Sequence, residues 1–88
     1  MSQNANYRQI GGPGGHLAHC TTFEGHTMRG EWNHDHTVYE VFSYATMIAA
    51  FTPATGDVYV SEQRYSNTTS RQQGLCRAWL ATARKERA

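Results

Sequence analysis

Over residues 57–65 apolar and polar positions alternate, with Val58 and Val60 on one side and Tyr59, Ser61, Gln63 and Tyr65 on the other. That two-residue period predicts a strand with one buried face. The apolar run at residues 47–52 precedes it, and Pro53-Ala54-Thr55-Gly56 lies between them. Proline presets the turn and glycine takes positive φ, so residues 47–65 read as a hairpin. Upstream, residues 37–44 are dense in Val, Tyr and Phe, the side chains that fill pleated, half-buried surfaces, and predict another strand. Residues 23–32 alternate more weakly. His26, Met28, Gly30 and Trp32 fall on one side, Thr27, Arg29 and Glu31 on the other, which suggests a single first strand before the turn-rich Asn33-His34-Asp35-His36. Connections this short imply antiparallel pairing, because a parallel pair needs a crossover of about a dozen residues or more.

The period changes after residue 68. Leu75, Cys76, Trp79, Leu80 and Ala83 recur at helical spacing and form a stripe suited to packing on a sheet, while Arg77, Ala81, Arg84 and Lys85 fall elsewhere on the wheel. Thr69 and Ser70 are each followed three residues later by glutamine (Gln72, Gln73), so a capping box is available in either register. Gly74 inside this helix costs about 1 kcal/mol relative to alanine and suggests close backbone approach to a neighbour. Residues 1–15 are polar, then glycine-rich, and predict a flexible arm. The glycines lack the spacing of a phosphate loop. The expected fold is α+β: an antiparallel sheet of about four strands with one C-terminal amphipathic helix packed on one face, forming one domain over residues 16–88.

Composition constrains this picture in two ways. With 88 residues, 39% hydrophobic and 17% charged, the chain is globular but short, and a domain of this size buries only about two-thirds of its unfolded surface, which makes self-association an open option. The net charge of +1 conceals an asymmetry. Residues 1–63 carry two cations and six carboxylates, net −4, and residues 64–88 carry six cations against Glu86, net +5. A basic helix beside an acidic sheet accounts for this within one molecule, with Arg84, Lys85 and Arg87 in the last turn complementing the helix dipole. Contact with nucleic acid through Arg71, Arg77, Arg84, Lys85 and Arg87 is the alternative. The sequence contains no apolar run of about 18 residues and no secretory leader pattern, so the expectation is a soluble, intracellular protein without a membrane partner. Cys20 and Cys76 form no CxxC pair; they are expected to be reduced thiols, with a bridge between them left open.

Two segments carry a resemblance. Tyr39-Glu40-Val41-Phe42-Ser43-Tyr44-Ala45-Thr46-Met47-Ile48-Ala49, followed by a hairpin and Tyr65-Ser66-Asn67-Thr68-Thr69-Ser70-Arg71-Gln72-Gln73, resembles an uncharacterised family of short bacteriophage proteins with the pattern Y-x-V-x-S-Y-x-T-x-I-A and then Y-S-x-T-T-S-R-H-Q. Gln72 stands where that pattern has histidine, and His26 where it has asparagine. The resemblance spans about residues 23–80 and implies a phage gene product acting in the host bacterial cytoplasm. It implies no activity.

Four groups of residues are candidates for chemistry. Ser66, Thr68, Thr69, Ser70 and Arg71 lie at a strand-to-helix junction, where free backbone N–H groups and the positive dipole end can hold a phosphate or carboxylate. The same hydroxyls equally serve as caps, and Arg71 distinguishes the two readings because capping does not need it. The five histidines all fall between His16 and His36, near Cys20. Imidazole and thiolate suit zinc, yet this spacing matches no zinc motif, so surface histidines and no metal are expected. Cys20 beside His19, with Asp35 or Glu24 as orienter, names the parts of a nucleophilic site without a motif to assemble them, so no enzyme and no cofactor are expected. Trp32, Tyr39, Tyr44, Tyr59 and Tyr65 supply either a core or a binding face, and one helix covers only one side of a sheet. The expected function is a small non-enzymatic phage protein that binds a host or phage protein, or itself, with nucleic acid binding through the basic helix as the alternative.

Overall fold

A computed structural model describes residues 4–63 and 67–87. Its centre is an antiparallel meander of β2 (Phe23–Gly25), β3 (Met28–Trp32), β4 (Tyr39–Ser43), β5 (Thr46–Thr52) and β6 (Asp57–Val60), each paired with the next. A short β1 (Asn4–Ala5) pairs in parallel with β2, so the sheet counts six strands. The helices are α1 (Tyr7–Ile10), α2 (His16–His19) and α3 (Asn67–Arg87). The protein is therefore α+β, with five antiparallel strands where about four were expected.

The additional strand comes from residues 23–32, which fold as a hairpin and not as one strand. His26 and Thr27 turn the chain, and Phe23 then pairs with Gly30. Expected alternation holds beyond the turn: Met28, Gly30 and Trp32 face inward, Arg29 and Glu31 outward. The final strand is shorter than the alternation predicts. It ends at Val60, and Ser61 is buried where an outward side chain was expected. The Pro53–Gly56 turn forms as read, with Gly56 at φ 77°.

One face of the sheet is covered. Facing pairs run Trp32–Tyr39–Phe51–Val58 and Gly30–Val41–Ala49–Val60, and α3 packs over β4, β5 and β6. Cys76, Leu80 and Ala83 of α3 are buried against this face, and Leu75 and Trp79 flank it, as the stripe predicts. Burial of a side chain such as Leu80 contributes about 1.5–3 kcal/mol. Between Val41 and Phe42 the β4–β5 register shifts by one residue, so Ile48 is a bulge, and Ile48 and Ala49 are both buried although adjacent.

Composition suggests an unordered arm over residues 1–15, and within it Ile10, Gly11 and Gly15 are buried. Ile10 is buried in the core, and Gly11 lies so close to α3 that an added Cβ would meet Leu75 at 3.0 Å and Trp79 at 3.2 Å. Low apolar content underestimates this segment because one isoleucine and a backbone-only contact anchor it. Two further bonds fix α2 to the sheet: Trp32 Nε1 donates to the Cys20 carbonyl (2.9 Å) and the Tyr39 hydroxyl to the Thr21 carbonyl (2.8 Å). Gly74, in contrast, is exposed, and an added Cβ there meets nothing within 4 Å. Close backbone approach occurs at Gly11 and Gly30, and not at Gly74.

Candidate binding surfaces

The two motif segments meet at the head of α3. Ser43 at the end of β4 and Thr69 in the first turn are both buried, and their hydroxyls lie 3.0 Å apart. Helix α3 begins at Asn67, two residues before the first expected cap, and this changes what the glutamines do. Gln72 reaches across to Thr27, donating from Nε2 to Oγ1 at 2.8 Å, and Gln73 Nε2 donates to the carbonyls of Ser61 (2.8 Å) and Gln63 (3.1 Å). Neither closes a capping box. The network ties the helix entry to three separate parts of the sheet.

Gln72 is fully buried, and its Oε1 has no hydrogen-bond partner among the described residues. The residue lines a pocket of about 280 Å³ together with Ile10, Gly25, His26, Thr27 and Met28. A buried unpaired amide atom costs about 1–3 kcal/mol. Gln72→Met, which keeps the length and removes the amide, is therefore expected to match or exceed wild-type stability in urea melts. Gln72→Ala, which leaves a cavity, should lose about 2 kcal/mol. A Met variant as unstable as the Ala variant would show that the amide is satisfied in solution.

Of the residues put forward for an anion site, those described take different environments. Thr69 points into the sheet, Ser70 and Arg71 are exposed, Thr68 is half-buried, and Ser66 lies outside the described residues. Arg71 instead borders a groove on α3 with Gly74, Leu75 and Ala78. Arg77, Arg84 and Lys85 are also exposed, and none of these four cations forms an ion pair among the described residues. The Arg87 side chain is outside the described part.

The histidines disperse. His16 stacks on Phe23 (5.2 Å) and shares a 2.6 Å hydrogen bond with Thr21, and burial lowers its pKa. His19 Nε2 bonds the Pro13 carbonyl at 2.9 Å, while Cys20 is buried beside Leu17. His26 occupies the β2–β3 turn, and His36 stacks on Trp32 at 4.3 Å. Among the described residues no three of His, Cys, Asp and Glu are placed to share a metal ion. Both cysteines are buried thiols in the core.

The aromatics divide by face. Trp32 and Tyr39 belong to the covered side, and Tyr65 lies outside the described residues. Tyr59 (52% exposed), Met47 (39%) and the half-buried Phe42 stand on the uncovered side, with Tyr44 (62%) at its rim. Two rows cross that side: Arg29–Phe42–Met47 and Glu31–Glu40–Ala50–Tyr59. Arg29 lies 4.3 Å over the Phe42 ring, bonds Glu31 at 3.3 Å and donates to the Tyr44 carbonyl. Glu24 and Asp57 flank the rows and are exposed. Strand periodicity alone placed Tyr59 outward; the outward placement of Met47 required the bulge.

The chain belongs to a protein family of unknown function, DUF8033, whose profile matches residues 15–86. No curated protein and no solved structure matches it. No helix among the described residues is long and apolar enough to cross a membrane.

Proposed function

We propose that this is a small non-enzymatic phage protein that docks a host or phage protein on the outer face of its sheet, in the bacterial cytoplasm. The observation that carries the reading is the uncovered face itself. A solvated sheet face is ordinarily polar along its outward positions. Here Phe42, Met47 and Tyr59 occupy them beside Glu31 and Glu40, with the exposed Glu24 and Asp57 at the flanks. Exposed aromatic and methionine side chains among charged ones are a composition that protein-binding patches share. The phage setting is supported by the resemblance of the two motif segments. Tagged wild type incubated with host lysate is expected to retain a protein that the Met47→Glu, Tyr59→Glu double variant does not. An unchanged retained set would overturn the reading.

Nucleic acid binding is the second reading, favoured by the exposed Arg71, Arg77, Arg84 and Lys85, which form no ion pair among the described residues. It predicts a gel shift whose affinity falls steeply with salt as phosphate counterions are released. No shift at low salt would exclude it.

A further inference from the structure

We infer that the occupant of the outer sheet face is a second copy of this chain, seated through the solvent side of its α3, so that copies stack head to tail. This rests on the reading of that face as a docking surface. Glu31 and Glu40 stand directly opposite each other on β3 and β4, near the middle of the face. Arg29 answers Glu31, and Glu40 forms no ion pair among the described residues. Like charges placed opposite one another oppose strand pairing, and a cation supplied from outside relieves them.

Such cations stand on the other side of the same molecule. Arg71, Arg77, Arg84 and Lys85 are exposed along α3 and lack ion pairs among the described residues. Gly74, Ala78 and Ala81 lie between them, also exposed, and the space around Gly74 is open. A low floor between cations lets a flat face come close, placing guanidinium groups over the Tyr59 ring, where cation–π attraction adds to the ion pairing. A helix of 21 residues is about 32 Å long, which matches the 32 × 31 Å extent of the molecule. Because α3 covers the inner face, its solvent side and the outer sheet face point in opposite directions. One copy therefore cannot satisfy both contacts with a single partner. The contact is heterologous and repeats. In the stack each sheet lies between its own α3 and that of a neighbour, a layered arrangement with helices on both faces.

Sedimentation velocity on the full chain tests this. From roughly 0.01 M to roughly 1 M salt the screening length falls from about 30 Å to about 3 Å. At low salt the average mass should climb with concentration past the dimer, and at high salt it should return to the monomer. Glu31→Gln with Glu40→Gln should be monomeric alone, as should Arg77→Gln with Arg84→Gln. Mixed in equal amounts they should form a dimer and nothing larger, since each retains one native surface. A wild-type monomer at every concentration in low salt, or association unchanged by both pairs of substitutions, would overturn the inference. Self-association failing while the Met47→Glu, Tyr59→Glu variant still loses a different captured protein removes the second copy and leaves the docking surface standing. Unchanged capture together with failed self-association removes both.

Discussion

Gly30→Ala is expected to lower stability by about 3 kcal/mol, seen as a fall in the urea midpoint with an unchanged slope. Gly30 faces inward on β3, opposite Phe23 on one side and Val41 on the other. A methyl group built there falls on the Phe23 ring and the Tyr39 hydroxyl, with Phe23 Cδ1 at 2.9 Å. Both neighbours are themselves fixed. Phe23 is stacked on His16, and the Tyr39 hydroxyl donates to the Thr21 carbonyl. The loss is large for a chain of 88 residues, whose whole stability is about 4–13 kcal/mol at typical per-residue values. Adding Phe23→Leu to Gly30→Ala should recover part of the loss, giving a favourable coupling in the double-mutant cycle. A midpoint within error of wild type for Gly30→Ala would mean that the Phe23 ring is not held over the glycine.

The second large effect is a loss of stability in alkali. Burial pushes the Cys76 thiol from its ordinary value near 9 up to about 12, with Arg77 opposing the shift. Burial likewise raises Tyr39, and neighbouring Cys20 and Cys76 add to the effect. Both groups are neutral when protonated, so the folded protein retains protons that the unfolded chain releases. Above pH 9, therefore, stability falls as pH rises, by about 1.4 kcal/mol per pH unit for Cys76 alone and on the order of 4 kcal/mol by pH 12. Tyr39 steepens the decline above pH 10. Denaturant melts between pH 8 and pH 11 should show the slope, and Cys76→Ala should flatten its first part even though it lowers stability at neutral pH. A wild-type profile level to pH 11 would place both groups in contact with water.

The strands and the inner face of α3 were legible because periodicity and burial coincide: Val58, Val60, Leu80 and Ala83 sit where their spacing puts them. The β2–β3 turn was not, since His26-Thr27 lacks a strong turn signature and alternation continues through it. Packing of the N-terminal segment escaped for a related reason. Its anchors are one isoleucine and the absence of a side chain at Gly11, and neither registers as hydrophobic density. At the helix entry the residue types were recognised and their partners were not. Thr69, Gln72 and Gln73 read as local caps, and bonds from them also reach Ser43, Thr27 and Ser61, contacts that no local rule encodes. The outer face followed from topology more than from sequence, because a meander under one helix leaves one side open.

The bulge at Ile48 decides which residues that open side displays. Continued without it, the pairing would set Ile48 opposite Phe42, facing outward, and turn Met47 inward. One backbone step of phase thus exchanges a branched, rigid side chain for an unbranched, adaptable one on the exposed face. The bulge therefore makes the outer surface accommodating: Met47 can adjust its shape to whatever settles against it, while the stiff isoleucine is spent in the core, where fixed shape is useful.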